Sequence, residues 1–191
     1  MSEALVLPRE REKTFADYLQ AAEDYPAMQV QLLNGEIIMS PAPRPLHQIV
    51  SDNLSWLLNQ YVRHHRLGRI LTAPTGVKLA ENQTPQPDIL FIRQERIAQL
   101  IGKQSIEGPP DFIAEILSPG NIHDDRHTKM LLYAAYQVPE YWIVDPDNDV
   151  IEVYTLDGDT YRVAGIFLPD ETINRGQFAE ANIAINDVFS R

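Results

Sequence analysis

Apolar residues recur every three or four positions in two parts of the chain, a spacing that places them on one face of a helix. This pattern predicts a first helix over residues 14–25 and a long amphipathic helix over residues 46–66. Shorter helices are predicted over residues 93–101 and 121–137, and the last of these stops before Pro139. The helices are therefore predicted to be spread along the chain.

Short apolar runs lie between these helices and predict β-strands. The pair Asn34-Gly35 separates two such runs and is typical of a hairpin turn, because its two residues tolerate the positive φ that the turn requires. The run at residues 111–117 is so apolar that we expect a central strand covered on both faces. The other predicted strands cover residues 69–72, 76–80, 88–92, 141–144, 150–156 and 160–167, and the tail is expected to form a last strand and a helical turn.

Helices that lie between strands indicate an α/β protein, here a mixed sheet flanked by helices. An N-terminal hairpin precedes the sheet, and a β-hairpin across Asp157-Gly158 extends it at the C-terminal end. The length of 191 residues predicts a single domain, with residues 1–13 as a flexible N-terminus. Those first residues contain no apolar run, so we expect no secretory signal, and no stretch reaches the roughly 18 apolar residues that a membrane helix needs.

The amino-acid composition excludes several classes of function. The chain has no cysteine, which excludes disulfides, zinc fingers and a cysteine nucleophile and favours a cytoplasmic location. The formal net charge of -11 argues against a passive nucleic-acid binder, which neutralises phosphates with cations. It is compatible with a metal-dependent nuclease, whose site must itself be acidic.

The candidate chemistry begins with Glu115, the one charged residue of the apolar segment 112–117, where a carboxylate is costly unless it is paired or bound to a metal. Four Pro-Asp pairs occur, and only Asp88 and Asp111 open apolar strands. Asp111 lies on the same strand as Glu115 and about 13 Å away, too far to share one ion. Asp88 comes from a different strand and can meet Glu115 across a ladder, so geometry favours that pair.

A hydrolytic site also needs a cation to orient water or to stabilise charge on a phosphate. Asp125, Lys129 and Tyr133 are spaced four apart on one helix face, and Lys129 can reach back over the strand that holds Glu115. A surface ion pair between Lys129 and Asp125 is the alternative, with Asp125 in a capping role and Tyr133 in simple packing. Lys78, on another predicted strand, is a rival for the cationic role.

Together these residues resemble the Uma family, in the restriction-endonuclease-like, PD-(D/E)XK superfamily. The matching segments cover residues 87–91, 115–119 and 141–146, the Asp125, Lys129 and Tyr133 set, and upstream residues 34–36 and His47. The resemblance implies a four-stranded mixed core sheet and a divalent-metal phosphodiesterase site. Asp88 and Glu115 would then bind Mg²⁺ or Mn²⁺, with a lysine assisting the attacking water.

The chain departs from the family pattern at two positions. The superfamily lysine usually stands two residues after the glutamate, where this chain has Leu117, so the resemblance implies that Lys129 substitutes for it. Glu36 would be an additional acidic member of the site, whereas Gln31 stands where the family usually has an acid. The implied substrate is nucleic acid, with DNA preferred and bound weakly.

Two alternatives to this nuclease stay open. The first is a nuclease-fold module that does not cut and serves interaction or oligomerisation, as the acidity of the chain and Leu117 suggest. The second is a metal-dependent hydrolase of another phosphate ester, since the same two carboxylates would serve. A homodimer is expected by base rate.

Overall fold

The computed structural model describes residues 11–119 and 124–191, with the side chain of Asp124 left out. The expected flexible N-terminus and the first residues of the predicted fourth helix lie largely outside this part. Where residues 11–13 are described, they make contacts: the Lys13 N–H donates to the Gly35 carbonyl at 2.7 Å, and Arg11 forms an ion pair with Asp17.

Helices form where the apolar spacing indicates them. The five α-helices are α1 (Phe15–Asp24), α2 (Pro45–His64), α3 (Ile97–Leu100), α4 (Met130–Ala135) and α5 (Ile185–Val188). A π-helical segment, Asp124–Lys129, leads directly into α4, and single 3₁₀ turns form at Gln94–Arg96 and Ala179–Ala181. The predicted last strand of the tail is wrong, because the described tail forms short helical turns and contributes only an isolated bridge, Thr172 to Ala184.

The strands group into one large sheet and two small ones. The strands are β1 (Gln29–Leu33), β2 (Glu36–Ser40), β3 (Gly68–Thr72), β4 (Val77–Lys78), β5 (Ile89–Arg93), β6 (Ile106–Glu107), β7 (Phe112–Ile116), β8 (Glu140–Asp145), β9 (Val150–Asp157) and β10 (Thr160–Phe167). The predicted β1–β2 hairpin forms a two-stranded sheet, and β4 and β6 form another. The other six strands form the main sheet.

The main sheet is mixed, in the order β10-β9-β8-β7-β5-β3. Only β7 and β8 run parallel, and each other neighbouring pair is antiparallel. Four of these strands, β3, β5, β7 and β8, form the expected core sheet, and the β9–β10 hairpin extends it from the edge of β8 to six strands. The parallel pair is possible because the helical segment that ends in α4 supplies the crossover between β7 and β8.

The centre of the sheet is buried on both faces, as predicted for β7. On one face, Phe112, Ala114 and Ile116 pack with the apolar stripe of α2. On the other face, Ile113 packs with Tyr133 of α4 and its neighbours. Because side chains alternate along a strand, Glu115 falls on the α4 face of the sheet.

The N-terminal hairpin is attached to the segment that leads into β5. The Leu32 N–H donates to the Thr84 carbonyl at 3.0 Å, and the Thr84 N–H donates back to Leu32 at 2.6 Å. This pairing brings β1 beside residues 84–88 and therefore beside Asp88. Within the described residues, no helix is both long and apolar enough to cross a membrane.

Candidate active site

Asp88 immediately precedes β5, and Glu115 lies in the neighbouring strand β7. In the antiparallel pair of β5 and β7, Ile89 faces Ala114 and Leu90 faces Ile113. One further step of this register sets Asp88 opposite Glu115. Opposed residues of an antiparallel pair project from the same face with Cβ atoms about 5 Å apart. The sheet therefore brings the two carboxylates to one place on its α4 face.

The Asp88 carboxylate is held by two neighbours. Its Oδ2 accepts the backbone N–H of Ile116 at 2.8 Å and lies 3.2 Å from Nε2 of His47. Both Asp88 and His47 are buried. His47 is in the first turn of α2, so the packing of that helix on the sheet fixes the distance between imidazole and carboxylate.

Glu115 is fixed from the opposite side by the helix that follows β7. Its Oε1 accepts the Tyr133 hydroxyl at 2.7 Å and lies 3.1 Å from Nζ of Lys129. The side chain is only 1% exposed, so these contacts replace the water that an isolated carboxylate would require. Tyr133, expected to serve in packing alone, is therefore also a hydrogen-bond donor to the carboxylate.

Lys129 lies between two carboxylates. Besides Glu115, its Nζ contacts Oδ1 of Asp125 at 2.9 Å. The expected i, i+4 pair between Lys129 and Asp125 exists, but it is buried and not on a solvated helix face. The Tyr141 hydroxyl donates to the backbone carbonyl of Asp125 at 2.8 Å, which ties this turn of the helix to β8. The ammonium group is thus positioned over the carboxylate pair of the sheet.

The protonation of the cluster follows from its burial and its charges. Burial raises the pKa of Glu115 to about 8, and the negative charges of Asp125 and Asp88 add to this shift against the opposing effect of Lys129. Burial alone would lower the pKa of Lys129, but the attraction of Glu115 and Asp125 raises it above the usual value. Lys129 is therefore an ammonium ion, whereas burial works against the ionised form of Glu115, which a bound cation would favour.

A surface pocket of about 230 Å³ opens onto the cluster. Asp88, Glu115, Asp125 and Lys129 line one side of it. Residues of the N-terminal hairpin and of the start of α2, among them Gln31 and Arg44, line the other side. A substrate in this pocket would thus lie between the main sheet and the β1–β2 hairpin.

The donor set fits a magnesium-type ion. The described hydrogen bonds use Oδ2 of Asp88 and Oε1 of Glu115, which leaves Oδ1 and Oε2 as oxygen donors. No group of three or more His, Asp or Glu side chains suited to a metal occurs in the described part of the chain. Two carboxylates are a usual protein contribution for Mg²⁺, which keeps several waters and takes its remaining ligands from substrate.

Other residues considered from the sequence lie elsewhere. Glu36 is exposed at the start of β2, whereas the far end of that strand, at Ser40, lines the pocket, so Glu36 is not brought to the cluster. Lys78 pairs with Glu81 at 2.9 Å and is not near the carboxylate pair. Asp111 forms an ion pair with Arg96 at 2.7 Å, which joins the start of β7 to the 3₁₀ turn after β5 and lies outside the pocket lining.

Sequence reasoning gave little weight to His47 and Gln31, which both line the pocket. A signal for His47 was present: residues 47, 50, 54 and 58 follow the helical spacing, and all four are buried on one face of α2. The signal for Gln31 was the family resemblance, which marks its position as one usually held by an acid; its burial comes from the docking of the hairpin.

The sheet order, the crossover helix and the paired carboxylates define a protein of the restriction-endonuclease-like fold class. A family model described as "Uma2: Putative restriction endonuclease" matches residues 15–186. The chain therefore belongs to the Uma2 family, which confirms the resemblance found in the sequence.

A solved structure shows the same fold. It is the crystal structure of a "putative nuclease belonging to DUF820" from Anabaena variabilis, with a TM-score of 0.69 and 23% sequence identity to this chain. The match covers 84% of this chain and 89% of the other. No curated protein matches this chain.

Proposed function

We propose that this protein is a Mg²⁺-dependent endonuclease that hydrolyses phosphodiester bonds in DNA. The observation that carries the proposal is the strand register that opposes Asp88 and Glu115, with Nζ of Lys129 at 3.1 Å from Glu115. Two carboxylates and one ammonium at the bottom of a surface pocket are the groups that hydrolysis of a phosphodiester needs.

Asp88 and Glu115 would hold the metal ion, Mg²⁺ or Mn²⁺, through their remaining oxygens. When bound, this ion supplies Lewis-acid stabilisation of the phosphate and lowers the pKa of water. In the reaction, an oxygen of water forms a bond to phosphorus and the bond from phosphorus to the leaving sugar oxygen breaks.

Three neighbouring residues position the carboxylates of Asp88 and Glu115. The backbone N–H of Ile116 and the imidazole of His47 hold Asp88, and the Tyr133 hydroxyl holds Glu115. The ammonium of Lys129 orients the attacking water or offsets the charge that develops on the phosphate. Lys129 would thus take the role of the lysine that the superfamily places two residues after the glutamate, where Leu117 is buried here.

Cleavage of plasmid and single-stranded DNA in Mg²⁺ or Mn²⁺ tests the proposal. We expect wild-type protein to cut, and Asp88→Asn and Glu115→Gln to lose at least two orders of magnitude in rate, in line with loss of a ligand that stabilises the transition state. Asp111→Asn is the matched control: it too changes an aspartate that follows proline and precedes a strand, but outside the pocket. Equal rates in all four proteins would refute the site.

A module that binds without cutting is the second candidate, and one observation favours it. The ammonium of Lys129 lies within 3.1 Å of two carboxylates, so the cluster can be a self-satisfied buried ion group. Titration calorimetry with Mn²⁺ separates the two candidates, because a structural ion group would bind no metal. A homodimer and a cytoplasmic location stay predictions.

A further inference from the structure

The wall of the pocket that faces the carboxylates contains Gln31, a polar side chain that is 4% exposed in the middle of β1. Its Oε1 accepts the backbone N–H of Gln86 at 3.1 Å. Gln86 stands two residues before Asp88, in the segment to which the hairpin is attached. The position of Gln31 relative to Asp88 is therefore fixed by backbone contacts and not by a flexible loop.

The hydrogen bond from Gln86 also fixes which way the amide of Gln31 points. Because the backbone N–H requires an acceptor, Oε1 must face it, and the Nε2 group turns away from it. Within residues 11–119 and 124–191, Nε2 of Gln31 donates no hydrogen bond. It is not among the fully buried side-chain atoms that lack a partner, so solvent or a ligand can reach it. Two N–H donors are thus left for an occupant of the pocket.

The charges around the pocket indicate what kind of occupant can use these donors. Two carboxylates contact the one ammonium, and Asp88 adds a third negative charge opposite Glu115, so an anionic substrate needs further donors besides the metal. Among the described residues that line the pocket, the cations are Lys129 and Arg44, and Lys129 is already shared by two carboxylates. An amide can donate to a phosphate oxygen without adding the negative charge that a glutamate at this position would bring.

We propose that Gln31 binds the substrate directly by donating hydrogen bonds from Nε2 to a phosphate oxygen of the nucleic acid strand. This inference rests on the proposed function and assigns to one wall of the pocket the task of holding the backbone of the strand. Arg44, exposed at the mouth of the same pocket, adds positive charge beside this contact. The opposite wall then carries the metal ligands and Lys129.

Two variants at this position remove the donor, and of these only Gln31→Glu keeps an acceptor for the Gln86 N–H. Gln31→Glu keeps the size and the acceptor for the Gln86 N–H but replaces the donor with a negative oxygen. Gln31→Met removes the donor without adding charge. Gln60→Glu is the control, because it changes the net charge by the same amount as Gln31→Glu. Gln60 is exposed on α2, about 20 Å along the helix from His47.

The readouts are KM and kcat for cleavage, and Kd for a fluorescein-labelled DNA strand in Ca²⁺, measured by fluorescence anisotropy. We expect both Gln31 variants to raise KM and Kd roughly tenfold or more, as for loss of a hydrogen bond to a charged group. Gln60→Glu should stay within about twofold of wild type. Mn²⁺ affinity, measured by calorimetry, should not fall in Gln31→Glu, which excludes loss of metal as the cause.

The outcomes separate this inference from the proposed function. If wild type cleaves and Gln31→Met keeps the wild-type KM and Kd, the phosphate contact is refuted and the nuclease stands. If wild type binds DNA without cutting it, the nuclease is refuted and the Kd comparison alone decides the role of Gln31. If wild type neither binds nor cuts DNA, both are refuted.

Discussion

Nζ of Lys129 lies 3.1 Å from Oε1 of Glu115, although Lys129 ends the π-helical segment before α4 and Glu115 lies in the central strand β7. The position two residues after Glu115 is held by Leu117, which packs with the core on the α4 face. A lysine in a helix thus reaches the same carboxylate that a lysine in the strand would reach.

Replacement of Lys129 by methionine is expected to abolish cleavage and to destabilise the fold. Without the ammonium, Asp125 and Glu115 would each lose the ion pair with Lys129 while remaining buried. Loss of one partner from a buried ion pair typically costs about 3–5 kcal/mol. Urea denaturation measures this loss of stability. Cleavage is assayed without urea, at a temperature at which the variant is folded.

Lys78→Met is the control for Lys129→Met. Lys78 pairs with Glu81, which is largely exposed, so the change should cost less than about 1 kcal/mol and leave cleavage intact. A Lys129→Met protein as stable and as active as Lys78→Met would contradict the central position of Lys129.

Substitution of Asp88 should lower the affinity for Mn²⁺, whereas substitution of Asp111, which also follows a proline and precedes a strand, should not. Asp88→Asn keeps an oxygen for the Ile116 N–H but loses the charge, so we expect Mn²⁺ affinity to fall at least tenfold. Asp111→Asn, whose carboxylate contacts Arg96, should keep wild-type affinity. Calorimetry at pH 7.5 measures both, and equal losses in the two variants would show that the effect is not specific to the pocket.

The affinity for Mn²⁺ should increase with pH. Burial raises the pKa of Glu115 to about 8, and a carboxyl must lose its proton to bind a metal. Below that pKa, the gain should approach tenfold per pH unit, and Glu115→Gln should weaken binding and reduce the slope. A flat wild-type profile between pH 6 and 8 would contradict the shift.

The metal-free protein should show the opposite dependence in its stability. The folded pKa of Glu115, about 8, lies above its ordinary value of 4.5, so folding favours the protonated form. The contribution of this group is fully present below about pH 4.5 and is lost as pH rises through about 8. Urea denaturation of wild type against Glu115→Gln should show that difference, and metal should reduce it.

Tyr133→Phe should move the metal-binding profile to higher pH. The hydroxyl donates to Glu115 at 2.7 Å and lowers the pKa of that carboxyl, so its removal raises the pKa further. The stability cost should be about 1 kcal/mol. Tyr161→Phe loses a similar bond, at 2.8 Å to the Val138 carbonyl, and should shift stability without shifting the profile. Identical profiles in the two variants would contradict the role of Tyr133.

The fold was predictable where one local pattern decided it. The apolar stripe of α2 and the turn at Asn34-Gly35 each specify their element without help from distant residues, and both form as expected. The tail was mispredicted because Ile183, Ile185 and Val188 suit either a strand or a helical turn when spacing alone is read. Packing against the α2 face of the sheet, a tertiary effect, selects the turns.

The candidate site was predictable where a charged side chain lies in an apolar segment, because burying an unpaired charge is costly. A carboxylate in an apolar strand indicated Glu115, and strand spacing favoured Asp88 over Asp111 as its neighbour, which is the arrangement that the register provides. Their role as metal ligands stays a proposal. The family resemblance marked the position of Gln31, but its contact with Gln86 was not predictable, because that contact depends on the pairing of Leu32 with Thr84, residues far apart in sequence.

The most direct test of the account is an anomalous difference map from crystals soaked in Mn²⁺. The account expects one strong peak within roughly 2.0–2.4 Å of a carboxylate oxygen of Asp88 and of Glu115, with the ammonium of Lys129 beside it. No peak at this place, or a peak bound by only one of the two carboxylates, would contradict it.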